Sequence, residues 1–117
     1  MNIKTLQNFE KKVKNIYEKG SIRAPIHLSG GNEKQLIKIF EGIKRTDWVV
    51  SNWRNHYHAI LHGVPEKIIL KEILNGKSMS LNFNKYKFLS SSIVAGGIPI
   101  GLGIALGIKR KKQKNKV

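Results

Sequence analysis

The stretch that most constrains this chain lies near its end: "SSSIVAGGIPIGLGIALGIKRKK", residues 90–112. From Ile93 to Ile108, sixteen residues carry no charge and nothing more polar than glycine, and a basic run follows. A membrane anchor and a buried loop-plus-helix segment both have this look. Length argues against the anchor, because sixteen helical residues reach about 24 Å and a hydrocarbon core is about 30 Å thick. Five glycines (96, 97, 101, 103, 107) and Pro99 argue the same way, since an interior glycine costs a helix about 1 kcal/mol against alanine. Glycine does occur in membrane helices, so a membrane-associated protein stays open as an alternative. The better division is a flexible segment "SSSIVAGG" and a helix from near Ile98. Pro99 then falls in the first turn, where its missing N–H does no harm. Lys109 to Lys112 fall at the helix C-terminus, where cations suit the dipole.

Upstream, Ile3, Leu6, Phe9, Val13 and Ile16 recur at three- and four-residue intervals and predict one helix ending near Gly20. "SIRAPIHLSGG" (21–31) reads as a loop. A second helix is expected from about Asn32, with Leu36, Ile37, Phe40 and Ile43 inward. Asp47 introduces a short buried stretch, "WVVSNW". A third helix covers "RNHYHAILHG", and a fourth starts at Pro65 and stops at Asn75-Gly76. "SMSLNFNKYKFL" (78–89) reads as irregular or weakly extended. The chain supplied is therefore expected to be mainly α, with residues 1–108 as its folded part and 109–117 as a basic tail.

The 117 residues suffice for one domain. There is no cysteine, which excludes disulfides and thiolate chemistry. The N-terminus lacks the apolar run of a signal peptide, and both features suit the cytoplasm. Twenty-two basic residues stand against seven acidic ones, a formal charge of +15. Such a surface attracts nucleic acid, acidic lipid or phosphorylated ligands without choosing among them. Only four of the basic residues are arginine, the type best suited to bidentate base and phosphate contacts. A small basic nucleic-acid-binding protein is the second alternative.

The residues that could carry chemistry each have two readings. Trp53 and Arg54 are a core tryptophan beside a surface arginine, or an indole N–H and a guanidinium set to grip phosphate. Ser92, Ile93 and Val94 are a helix lead-in, or a stretch of small residues whose backbone groups approach a heterocycle. His27 is an exposed loop histidine, or a group that donates to developing negative charge. His56, His58 and His62 lack the carboxylate and spacing of a zinc motif and read as structural, so no metal site is expected.

"IRAPIHLSGGNEK", "WVVSNWRNHYHAILHGVP" and "SSSIVAGGIPIGLGIALGIKRK" stand in the order and spacing of the alpha subunit of thiamine-diphosphate-dependent 2-oxo acid dehydrogenases, the first components of pyruvate dehydrogenase and its relatives. The resemblance runs from about Asn8 to Lys112. It implies the N-terminal helical part of an α/β thiamine-diphosphate-binding fold, with most of the central parallel sheet missing. It also implies that His27 lies near the substrate, that Trp53 and Arg54 flank the cofactor's diphosphate, and that Ser92, Ile93 and Val94 pass beside its aminopyrimidine ring. The family's departures here are Asn32 for glutamine, Trp53 for tyrosine, Ser92 for glycine and Ser80 for histidine. The segment that holds magnesium in the family lies beyond Val117, and no acidic residue follows Glu72. The resemblance thus implies a fragment that is silent alone. Its intact relative would oxidatively decarboxylate a pyruvate-like 2-oxo acid with a beta-type subunit and pass the acyl group to a lipoyl-bearing acyltransferase. Neither nucleic acid nor membrane is among the partners it implies.

Overall fold

The apolar stripe of the first seventeen residues folds as expected. The structure, a computed structural model, describes residues 2–117. Helix α1 spans Ile3–Glu18, and Asn2 caps it by accepting the Thr5 N–H at 2.9 Å. The cap satisfies a backbone donor that the helix leaves orphaned. Leu6, Phe9 and Val13 are buried on one face. Helix α2 (Glu33–Phe40) packs beside α1 and buries Leu36. Ile37, Phe40 and Ile43 are only half-buried, and Ile43 lies beyond the helix.

Strand β1 (Val49–Ser51) comes from the "WVVSNW" stretch, which is half-buried rather than buried. It leads into α3 (His56–Leu61) and α4 (Glu66–Leu74). Both of these helices end in the same cap. The Gly63 N–H bonds the Ile60 carbonyl and the Val64 N–H bonds that of Ala59; Gly76 and Lys77 repeat the pattern on Ile73 and Glu72. Gly63 and Gly76 have φ of +91° and +78°, the left-handed geometry this cap requires. The buried Val64 then closes over the helix end.

The segment 78–89 is more regular than its sequence suggests. Asn82–Phe83 form β2, Asn84–Tyr86 a 3₁₀ turn, and Phe88–Ser90 form β3. The sheet order is β1-β3-β2, with β1 parallel and β2 antiparallel to the central β3. Short apolar strands bounded by polar turns carry little alternation, so pairing rather than pattern defines them. About half of the chain is helical, and this three-stranded mixed sheet accompanies the helices. The expectation of a mainly α chain holds in this weaker form. Phe88, wholly buried, anchors the sheet in a core shared with Leu6, Tyr57, Ile60, Ile69, Ile73 and Leu81.

Helix α5 (Gly97–Arg110) opens with Pro99 in its first turn and has Lys109 and Arg110 in its last. Its start lies on β1, where a Cβ on Gly97 would stand 3.0 Å from Val50. Along the rest of the helix only Ile108 is buried, while Ile98 and Leu102 are each 72% exposed. Among the described residues no helix is long and apolar enough to cross a membrane.

Candidate functional site

Two loops and one strand end converge at the C-terminal edge of β1. After Ser51 the chain turns through Trp53 and Arg54 into α3. After Ser90, at the matching end of β3, it turns through Ser92, Ile93 and Val94 into α5. Because the two strands are parallel, both corners emerge on the same edge of the sheet. Open α/β sheets place ligand clefts at such an edge.

Asn55 ties these corners together. It is fully buried, and its side-chain amide donates to the Ser78 carbonyl at 2.9 Å and to the Ser90 Oγ at 2.8 Å. The Ser90 hydroxyl also accepts the Leu81 N–H at 2.8 Å. The residue after Arg54 thereby fixes where the 92–94 loop begins. Its own Oδ1 is buried with no protein partner. Sequence reasoning passed over Asn55, although an asparagine just ahead of an apolar helical run is a recognisable helix-start signal.

Two clefts open at this edge, and Trp53 lines both. The larger, about 440 Å³, is walled by Val50, Ser51, Ile93, Ile98 and His58. The smaller, about 300 Å³, is lined by His27, Trp53, Met79, Ser92 and Val94. Five of the six residues singled out from the sequence therefore border one or other of two clefts that share an indole. Arg54 lines neither. Its backbone N–H bonds the Asn52 Oδ1 at 2.8 Å, and its Nη1 donates to the Leu28 carbonyl at 2.7 Å. That bond braces the loop beside His27 and leaves the other guanidinium donors exposed. Ile93 and Val94 are 71% and 75% exposed, so their loop presents apolar side chains and backbone to solvent.

The loop bearing His27 is held from below by two carboxylates. Glu10 on α1 accepts the Ser29 N–H at 2.7 Å and the Gly30 N–H at 3.3 Å. Glu33 accepts the Gly31 N–H and the Tyr57 hydroxyl, each at 3.3 Å. Burial pushes the Glu10 carboxyl above its ordinary range, against the pull of the Ser29 N–H. Glu33 is held below the usual carboxylate range, first by its own backbone N–H and then by that of Gly31. Glu10 was legible in principle. It sits within the apolar stripe of α1, between Leu6 and Val13, and an acid there has to find partners.

The three histidines of α3 go to three different places. His56 pairs through Nε2 with the Ser78 Oγ at 2.8 Å, and burial pushes it down to about 4. His58 faces the larger cleft, with Nδ1 at 2.6 Å from the Ser51 Oγ and its ring stacked on Phe40. His62 meets the Asp47 carbonyl at 3.0 Å. Burial lowers His58 and His62 as well, so all three are neutral near pH 7. Among the described residues no group of three or more His, Cys, Asp or Glu side chains could hold a metal ion. The Ser51–His58 pair has no signature in the sequence, since seven residues and a strand-to-helix corner separate its members.

A small mixed sheet flanked by helices, with a glycine-rich loop and a tryptophan–arginine corner on one edge, makes a partial α/β architecture with clefts at that edge. The family model for the Dehydrogenase E1 component matches residues 1–117, and the chain belongs to that family. Relatives include a mitochondrial pyruvate dehydrogenase E1 component subunit alpha from Sminthopsis macroura, 30% identical across 95% of this chain and 33% of its own length. Another is the pyruvate dehydrogenase E1 component subunit alpha from Rickettsia prowazekii, 31% identical across 94% of this chain and 37% of its own. That of Porphyra purpurea is 29% identical across 85% and 32%. The chain spans about a third of the length of the curated relatives it matches.

Proposed function

We propose that this chain supplies the ring-facing wall of a thiamine diphosphate cleft in a dehydrogenase that oxidatively decarboxylates a pyruvate-like 2-oxo acid. The observation that carries this reading is the pair of clefts sharing Trp53, which gathers His27, Ser92, Ile93 and Val94 on the edge where β1 and β3 end. The residues fit the ring end of such a cofactor: an apolar concavity, exposed backbone at 92–94 and an indole between the two spaces. They do not fit its magnesium-bound end, which needs oxygen ligands that include carboxylates. Glu10, Glu33 and Asp47 are occupied by backbone N–H groups.

When bound, the cofactor would supply the carbanion stabilisation of the reaction. The chain's own residues would do the holding. Val94 and Ile93 would exclude water along the ring. The free guanidinium donors of Arg54 would meet phosphate oxygens while its Nη1 keeps the Leu28 carbonyl. His27 would stand at the substrate side, presented by a loop that Glu10 and Glu33 fix. A beta-type subunit would complete the pocket, a lipoyl-bearing acyltransferase would take the acyl group, and the assembly would be cytoplasmic. Alone, the chain would be catalytically silent.

Trp53 fluorescence tests this directly. In a Trp48→Phe background, thiamine diphosphate added to the chain together with a beta-type subunit should quench the remaining indole, and Arg54→Gln should weaken the titration by about tenfold. Absence of quenching at millimolar cofactor would refute the cleft. Decarboxylation of pyruvate by the chain alone at enzymic rates would refute the need for a partner subunit.

A further inference from the structure

The opposite end of β1 carries a further concavity that the proposed reaction does not use. Lys44, Lys87, Lys112, Lys114 and Lys116 converge with Asp47 around a cleft of about 570 Å³. They come from three separate parts of the chain: the approach to β1, the turn before β3, and the C-terminal tail. The tail is held in place rather than trailing. Its Lys116 N–H donates to the Asp47 Oδ1 at 2.8 Å, and its Lys116 carbonyl accepts the Trp48 N–H at 2.8 Å. Asp47 has its other oxygen on the Lys44 N–H at 3.0 Å. The only carboxylate lining the cleft is thus buried on backbone donors, which favour its ionised form, as do the charges of Lys44 and Lys116. Lys87 Nζ donates to the Thr46 carbonyl at 2.9 Å, so five lysines border the cleft against one acid. Converging like charges oppose folding unless an anion joins them.

The turn into the tail adds an independent sign. The cap at the end of α5 has the same hydrogen bonds as those of α3 and α4, with the Lys112 N–H on the Lys109 carbonyl and the Gln113 N–H on that of Ile108. At α3 and α4 the left-handed position is glycine, whereas here it is Lys112 at φ +52°. A side chain with a Cβ is strained in that conformation. The strained residue is one whose side chain lines the basic cleft, and strain of this kind gathers at ligand clamps.

We propose that this cleft is a binding site for a soluble oligophosphate, a compact anion with several phosphate groups in a row. Three linked phosphates, each negatively charged, match several lysines that come from different parts of the chain. The cleft also has room for hydrating water, at about 30 Å³ for each molecule.

The probe is inorganic tripolyphosphate, titrated calorimetrically into the full chain at 50 mM salt. Two triple variants of equal net charge separate a site from bulk charge. One is Lys44→Gln, Lys114→Gln and Lys116→Gln in the cleft; the other is Lys4→Gln, Lys11→Gln and Lys12→Gln on the exposed face of α1. The cleft variant should bind at least about tenfold more weakly while the α1 variant keeps its affinity. Equal weakening in both would reduce the effect to net charge and overturn the site, as would no binding by the unaltered chain. Lys112→Gly covers the case where a tail variant unfolds, because glycine suits the cap. It should raise stability and still weaken tripolyphosphate binding, and an unchanged affinity would overturn the role given to that side chain. Capture of anionic vesicles without any response to tripolyphosphate would overturn the soluble ligand.

Discussion

Acid should weaken this fold through His56 in a way that one substitution can isolate. The ring is fully buried, meets Phe9 edge-on at 6.1 Å, and has only the Ser78 Oγ as a partner, with Nδ1 left unpaired. Burial lowers its folded value from the ordinary 6.5 to about 4. A base whose value falls on folding binds its proton preferentially in the unfolded chain, so stability falls as pH drops from 6.5 towards 4. Between pH 7.5 and pH 5 the loss from this one group is about 2 kcal/mol, rising to about 3 kcal/mol below pH 4. That is a large share of the ~5–15 kcal/mol that keeps a small domain folded. His58 and His62 add losses of the same sign, and Glu10, whose value is raised, acts in the opposite sense. Urea unfolding at both pH values, for the chain and for His56→Gln, cancels those other groups. The variant should be less stable at pH 7.5, because its packing against Phe9 is lost, yet lose about 2 kcal/mol less on acidification. An identical pH dependence in the two proteins would refute a buried neutral His56.

Asn55→Ala should cost about 2–3 kcal/mol in urea unfolding, because it leaves the buried Ser78 carbonyl without its donor and unties the Ser90 corner; a change under 0.5 kcal/mol would mean that water replaces the amide. Glu10→Gln keeps one acceptor for two N–H groups. It should speed hydrogen exchange at Ser29 and Gly30 while costing only about 1 kcal/mol, the charged form being already disfavoured by burial. Unaltered exchange there would show that Glu33 and Arg54 hold the loop alone. Leu6→Ala should cost about 2–5 kcal/mol by leaving a cavity under α1, whereas Leu102→Lys on α5 should stay within about 0.5 kcal/mol; equal losses would place α5 in the core.

The helices were legible because their signals are local. Gly20, Pro65 and the Asn75-Gly76 pair mark helix ends by their own backbone chemistry, and Pro99 reads correctly as a first-turn residue. The strands were not, because β1, β2 and β3 are two or three residues long, too short for a period, and β1 acquires its identity from a partner about forty positions away while β2 and β3 pair across a short turn. The same limit applies at the site. Trp53, Ser92 and Val94 were found as motif residues, but nothing local says that Asn55 joins their two corners or that Arg54 spends a donor on Leu28. What the sheet adds is direction. β1 carries clefts at both ends, the pair sharing Trp53 where the chain leaves the strand and a basic one where it enters. The +15 charge, which by itself could not choose a partner, is concentrated in part at the entrance by a tail that folds back onto Asp47 and Trp48. The two ends therefore make separable predictions: thiamine diphosphate should act on Trp53 without Lys112, and tripolyphosphate should feel Lys112 without Arg54.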